Sequence, residues 1–316
     1  MAKSLLEQSE ALLKKHLAMG KSKSNVGNIG KTPYKQFTSM RSYKESASTL
    51  ARIAESMGVS RLKHINIEEA QEFLISRREA ERAGQNVLHV EIKDRSNQRL
   101  LTQKTLDAER KALSILLGLP IARVYSAASN AAKSRSYTDF QVKAISEAQT
   151  TRNALATKIA HAAGLRAHEL LQIRKADELQ ITSNRQWSKE RFNGLDGERY
   201  VVAGKGGLVR EIRIPSDLAK ELEARRYETP VEIMDRKVKY TSHYDIGGGN
   251  SFSKSFSTAS KRALGMSNGA HGLRHQYAQS RMAHLTGKGY SDKQAKLIVS
   301  QELGHFRASI TGVYLR

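Results

Sequence analysis

Apolar residues recur at helical spacing through most of the chain, and capping residues mark where the runs begin. Ser4-Leu-Leu-Glu7 reads as a capping box, with Leu5, Leu6, Leu12, Leu13 and Leu17 following on one helical face until Gly20. Met40, Tyr43, Ala47, Leu50, Ala51, Ala54 and Met57 predict a second amphipathic helix between Thr38 and Gly58. A third opens at Asn66 and runs to Ala83 with Ile67, Ala70, Phe73 and Leu74, and a fourth runs from Thr102 to Leu117 before Gly118 and Pro120 stop it. Together they predict a small all-helical domain over 36–120, preceded at 1–35 by the N-terminal helix and a Gly/Ser/Lys-rich stretch, Gly20 to Lys31, that reads as a basic linker, either lying along DNA or merely a solvated tether.

Residues 121–136 are rich in Ala, Ser, Asn, Lys and Arg without a strong apolar stripe, the pattern of an interdomain linker. Helical periodicity resumes near Thr138 with Phe140, Val142, Ile145 and Ala148, and a further helix through Leu155, Ile159 and Ala162 stops at Gly164. Two β-rich runs then flank Gly204-Lys-Gly-Gly207, which is a hairpin signal. From Ser216 the chain returns to helices, interrupted at Gly247 to Gly249 and Gly287 to Gly289. The second domain, 137–316, is therefore expected to be mostly helical with one small antiparallel β-sheet.

Charge narrows the class of partner. The chain of 316 residues carries 53 Lys and Arg against 31 Asp and Glu, a formal net charge of +22. Such an excess calls for a polyanion, nucleic acid or an anionic surface. Apolar runs such as Ala112 to Leu117 fall far short of the roughly 20 residues that span a bilayer, and the polar start Met1 to Glu7 does not resemble a secretory signal. A cytoplasmic protein without membrane partners is expected. The absence of cysteine excludes disulfides and thiolate chemistry. With aromatic residues at 6%, single-strand binding by stacking is disfavoured and duplex DNA fits better.

Four clusters carry residue types suited to chemistry. In Gly164-Leu-Arg-Ala-His-Glu-Leu170, Arg166 and Glu169 stand i, i+3, so the carboxylate can steady a guanidinium that faces a phosphate, although a surface ion pair explains the same spacing. Lys205 sits between glycines in a turn, which permits close approach of a ligand but is equally an ordinary turn. His271 and Arg274 at the start of a helix can aim at one anion, or can cap the helix and face solvent. His271 and His275 form an i, i+4 pair without the glutamate of a zincin motif, so no metal is expected. His305 follows a Leu-Gly break and Tyr314 lies nine residues further on, where a tyrosine taken alone would be a core residue.

In this order the clusters resemble the tyrosine recombinase, or phage integrase, family: an Arg with Glu three residues on, a Lys in a hairpin turn, His-x-x-Arg, then Leu-Gly-His and a Tyr nine residues later. The wording of the last motifs is most similar to integrases of proteobacterial prophages and mobile elements. The resemblance implies a two-domain C-shaped DNA clamp, with 36–120 as a helical core-binding (SAM-like) domain and 137–316 as the catalytic domain. It implies Tyr314 as nucleophile forming a 3′-phosphotyrosine, and Arg166 and Arg274 on the phosphate oxygens. Lys205 would be the acid for the leaving 5′-hydroxyl, His271 the acid/base partner of the tyrosine, His305 a phosphate donor and Glu169 a support for Arg166. No cofactor, metal or ATP is implied.

The implied partners are a specific double-stranded recombination site, further protomers in a homotetrameric synaptic complex, and accessory DNA-bending proteins. Only Leu315 and Arg316 follow Tyr314, so no tail is expected to dock into a neighbour, and protomers would meet through Ser4 to Met19 or the loop at Gly287. With about 35 residues ahead of the helical domain, a simple recombinase without a separate arm-binding domain is expected. The terminal helix is expected to be mobile until DNA orders it. The alternative functions are type IB topoisomerase-like relaxation and a catalytically inactive DNA-binding regulator.

Overall fold

The computed structural model describes residues 3–19, 21, 25–83, 101–126, 134–204, 207–236 and 238–315. The chain divides into two compact units, Met1–Ala131 and Ala132–Arg316.

The first unit is helical: α1 (Leu5–Lys14), α2 (Met40–Ser56), α3 (Ile67–Ala83) and α4 (Gln103–Leu117). Ser4 and Glu7 form the reciprocal capping box that their spacing predicts, and Asn66 and Glu69 make the same exchange ahead of α3. Leu50, Ile53, Leu74 and Leu113 lie in the core. A buried bidentate pair, Arg77 to Glu109 at 2.7 and 3.1 Å, ties α3 to α4.

Two boundaries differ from the sequence reading. The described part of the expected basic linker is not a solvated tether: Val26 and Ile29 are buried, and Ile29 N–H donates to the Tyr34 carbonyl at 2.5 Å. Ile29 and Phe37 pack with Leu13 of α1 and Tyr43 of α2, so the segment 1–35 shares a core with the helices that follow it. At the other end Ile121 and Val124 bury in the same unit, which takes the first residues of the expected 121–136 linker into the core. Isolated apolar residues among glycines and lysines carry no period, which hides such packing from a pattern search.

The second unit contains α5 (Asp139–Glu147), α6 (Thr151–Ala162), β1 (Ile173–Lys175), β2 (Glu198–Ala203), β3 (Val209–Ile214), α7 (Ser216–Glu223), β4 (Arg226–Asp235), β5 (Val238–Tyr244), α8 (Gly249–Leu264), α9 (His271–Gly287), α10 (Asp292–Glu302) and α11 (Ala308–Tyr314). β1, β2 and β3 form an antiparallel sheet in that order, with Val202 opposite Arg210 in the expected hairpin. α6 and the sheet pack through Ile159, Val202, Ile212 and Ile214, while α9, α10 and α11 share a second cluster around Leu285, Val299 and Leu303.

The expectation of a single sheet is corrected by β4 and β5, which pair antiparallel as a separate two-stranded sheet. β4 is exposed along most of its length, so no inward apolar alternation marks it, and the turn uses Arg236 at φ 48° instead of glycine. Phe140, read as part of the inward stripe of α5, is 78% exposed, while Val142 and Ile145 are buried. Among the described residues no helix is long and apolar enough to cross a membrane.

Candidate active site

Where α6 ends, the chain reverses through Gly164, whose φ of 60° lies in the left-handed region. A side chain there would also come within 2.6 Å of the Tyr277 ring. The reversal frees the Gly164 carbonyl, which accepts from Arg274 Nη1 at 2.5 Å. Nη2 of the same guanidinium donates to the Leu303 carbonyl just past α10, and Nε donates to the Tyr314 hydroxyl at 3.2 Å. Helix ends leave carbonyls unpaired and concentrate negative potential there, which is how this guanidinium can be completely buried. Burial, and next the Arg166 charge, bring the Arg274 pKa down to about 10, so it stays cationic at neutral pH.

Arg166 and Glu169 share the turn after Gly164, and they are not an exposed pair: Glu169 has no accessible surface. Its Oε1 accepts from Arg166 Nη1 at 2.6 Å, and its Oε2 accepts from the Arg166 backbone N–H at 2.8 Å. Oε2 also accepts from Arg210 Nη2 at 2.8 Å, with Arg274 Nη1 3.9 Å away. Burial pushes the carboxyl up, but the charges of Arg210, Arg274 and Arg166 outweigh it and hold the group well below the usual carboxylate range.

Arg210 belongs to this constellation although no motif points to it. It sits on β3 in the inward series Arg210, Ile212, Ile214, and a charge at a core-facing strand position is the signal that could have found it. The hairpin of β2 and β3 brings Gly204 against Glu169, where an added Cβ would lie 3.2 Å from Oε1. Lys205, expected in the turn beside it, lies outside the described residues.

α10 ends in the turn Leu303-Gly304-His305. Gly304 has φ 70°, and a Cβ there would approach Arg210 Cδ to 2.9 Å. Gly304→Ala is accordingly expected to destabilise the chain by about 1–3 kcal/mol, read as a lowered urea midpoint; an unchanged midpoint would show that the turn and Arg210 adapt.

His305 Nε2 lies 2.9 Å from Arg166 Nη2, 3.3 Å from Arg274 Nη2 and 3.4 Å from the Tyr314 hydroxyl. Guanidinium nitrogens only donate, so Nε2 is assigned as acceptor and Nδ1 carries the proton. Burial, then Arg274 and Arg166, bring its pKa down to about 3, and the ring is neutral. Trp187 packs on the adjacent Phe306 with ring centroids 4.8 Å apart, and Arg191 lies 4.3 Å over the Trp187 ring.

Tyr314 completes the cluster from α11. Tyr314 is packed: it is 5% exposed, and its carbonyl accepts from Gln279 Nε2 at 3.1 Å. Its ring centroid lies 4.9 Å from that of His275 and 5.6 Å from that of His271. His271 opens α9 with an exposed edge, yet the surrounding protein, then Arg274 and His275, bring its pKa down to about 4. Arg166, Glu169, Arg274, His305 and Tyr314 thus form one connected network with His271 alongside, and Arg210 and His275 join it.

The family model described as Integrase matches residues 123–280, half of the chain. No curated protein matches the chain in sequence. Among solved structures, the chain is similar to the XerH site-specific recombinase bound to palindromic difH substrate in a post-cleavage complex, with TM-score 0.51 and 17% identity over 99% of this chain and 90% of that one. It is also similar to a lambda integrase tetramer bound to a Holliday junction, with TM-score 0.55 and 17% identity over 98% of this chain and 76% of that one. A lambda integrase dimer bound to a COC′ core site gives TM-score 0.54 and 17% identity over 99% and 76%. At such identity these likenesses speak for the fold, and the family match carries the assignment: the chain belongs to the integrase family of tyrosine recombinases, site-specific enzymes that cut and rejoin DNA.

Proposed function

We propose that this recombinase integrates and excises a phage or mobile element, with Tyr314 as its nucleophile and Arg166, Lys205, His271, Arg274 and His305 as its catalytic residues. The observation that carries the reading is the position of the Tyr314 hydroxyl, in contact with both Arg274 Nε and His305 Nε2. In the core such a hydroxyl would be satisfied by one neutral acceptor; here it faces a buried cation and a neutral imidazole, the surroundings of an attacking oxygen.

Tyr314 Oη attacks the scissile phosphorus and the 5′-oxygen leaves, so one P–O bond replaces another and no ATP is needed. Arg166 and Arg274 offset the negative charge that builds on the non-bridging oxygens. His271, neutral with its pKa near 4, is in the form that accepts the tyrosine proton. When the phosphate draws the two guanidiniums away from His305, the charge repulsion that adds to burial in lowering its pKa weakens, and the ring can protonate and donate to the phosphate. Lys205 supplies the proton to the 5′-oxygen, and Glu169 keeps the Arg166 fork in place.

The surplus positive charge suits a duplex bound by a core-binding domain in the unit Met1–Ala131 and the catalytic domain in the unit Ala132–Arg316, with four protomers in the synaptic complex, in the cytoplasm. A nicked suicide substrate carrying the recombination site tests the reading. A covalent adduct is expected in EDTA, and peptide mapping should place the DNA on Tyr314. Attachment elsewhere, or an adduct that needs a divalent metal, would overturn it. Relaxation of plasmid without joining of two sites would favour the topoisomerase alternative.

A further inference from the structure

Glu169 is surrounded by more positive charge than it can balance. Arg166, Arg210 and Arg274 all lie within 4 Å of one carboxylate, which leaves a surplus of two positive charges in a region where Arg210, Arg274 and Glu169 are buried. Arg210 adds a further oddity: it is 1% exposed, yet its Nε and Nη1 have no hydrogen-bond partner among the described residues. Arg210 also borders a cavity of about 150 Å³ whose walls are Arg166, Gly204, Leu208, Arg210, Gly304 and His305.

A cluster that served folding alone has no use for this surplus. Two guanidiniums already over-neutralise one carboxylate, and a third buried cation with orphan donors costs desolvation that Ile or Leu at the same strand position would avoid. The surplus does match a phosphodiester, which carries one negative charge and gains a second as it becomes pentacoordinate.

The geometry indicates how the charge is divided. Glu169 Oε1 holds Arg166, whereas Oε2 is taken by Arg210 at 2.8 Å and stands 3.9 Å from Arg274. Without Arg210, Oε2 keeps the Arg166 backbone N–H and the nearest remaining guanidinium is that of Arg274, and a short Arg274–Glu169 pair would draw it off the Tyr314 hydroxyl and neutralise it.

We propose that Arg210 is a positioning residue for strand cleavage: by occupying Glu169 Oε2 it keeps Arg274 on Tyr314 and leaves the Arg274 charge free for the phosphate. The inference rests on the reading of Tyr314 as nucleophile. The groups that face Glu169 are Arg166 from its own turn, Arg210 from β3, Arg274 from α9 and His305 from the turn after α10, with His168 beside it. Loss of Arg210 therefore also lets Glu169 protonate at a higher pH.

The test compares wild type, Arg210→Lys and Arg210→Met as full chains on the nicked substrate, measuring site affinity, first-order cleavage rate and its pH dependence. For Arg210→Met a fall in rate of about tenfold to a hundredfold is expected, with affinity within about threefold and the acid limb of the pH profile moved upward. Arg210→Lys, which keeps a charge on Oε2, should regain most of the rate and hold the limb near its wild-type place.

In a Glu169→Gln background the further loss from Arg210→Met should largely vanish, because both act on one contact. An unchanged rate in Arg210→Met, a rate loss matched by an equal loss of affinity, or additive losses with Glu169→Gln would overturn the proposal. If Arg210→Met does not fold, Arg210→Lys decides: a lysine rate as low as that of Glu169→Gln also overturns it. A wild type that forms no adduct would instead sink the reading of Tyr314, so the two failures are distinguishable.

Discussion

Tyr314→Phe should bind the recombination site as wild type does and form no covalent adduct at any pH. Only the hydroxyl is removed, so the ring contacts to His271 and His275 and the stacking of Arg274 against the ring remain available. Among the described residues no other hydroxyl lies in the same relation to Arg274 Nε and His305 Nε2, and a neighbouring water cannot form a phosphoprotein bond. The variant leaves Arg274 Nε without its partner, a cost of about 1–3 kcal/mol for a buried donor, so a modest fall in melting temperature should accompany complete loss of cleavage. Gel shift measures binding, and denaturing electrophoresis after reaction with the nicked substrate measures the adduct. A persistent adduct would mean that another residue attacks.

Glu169→Gln is expected to damage both fold and activity. The amide keeps the shape but leaves Arg166, Arg210 and Arg274 without a counter-charge, and breaking a buried ion cluster on one side typically costs about 3–5 kcal/mol. The pH dependence gives the claim a sign. The folded-state pKa of Glu169 is depressed, so its contribution is fully present above the ordinary value of 4.5 and is lost as pH falls through the folded-state value. Wild type should therefore lose stability as pH drops below about 4.5, while the variant, lacking the titrating group, should show a flatter acid limb. Urea midpoints across pH 2.5 to about 7 measure it. An equal acid limb in both proteins would mean that other carboxylates dominate.

Most of the helical frame can be read from local rules because caps act locally: Ser4 with Glu7 and Asn66 with Glu69 are satisfied within one turn of chain. β4 and β5 escape the same reading since their pairing leaves side chains exposed and turns on a left-handed arginine. For the site, each motif alone allows a bland account, and it is the joint arrangement that removes it. The Arg166–Glu169 pair reads as a surface contact until Glu169 is seen to have no exposure, and Tyr314 reads as a core residue until its hydroxyl is seen against Arg274.

On the proposed mechanism Tyr314 is both, a packed ring with a hydroxyl that reacts. Arg210 was hidden because its meaning lies in a partner 41 positions away on another element, which no spacing rule spans. The packing of the terminal helix is hidden for a similar reason: Gln279 and His275, which touch Tyr314, lie on another helix about 35 to 40 positions away.

Trp187 is the chain's single tryptophan, and it rests on Phe306, the residue after His305. Its ring therefore views one turn of the candidate active site with no other indole to dilute the signal. The chain carries its own optical label there: emission from unmodified protein, mixed rapidly with DNA, would report a shift of the His305 turn without any attached dye.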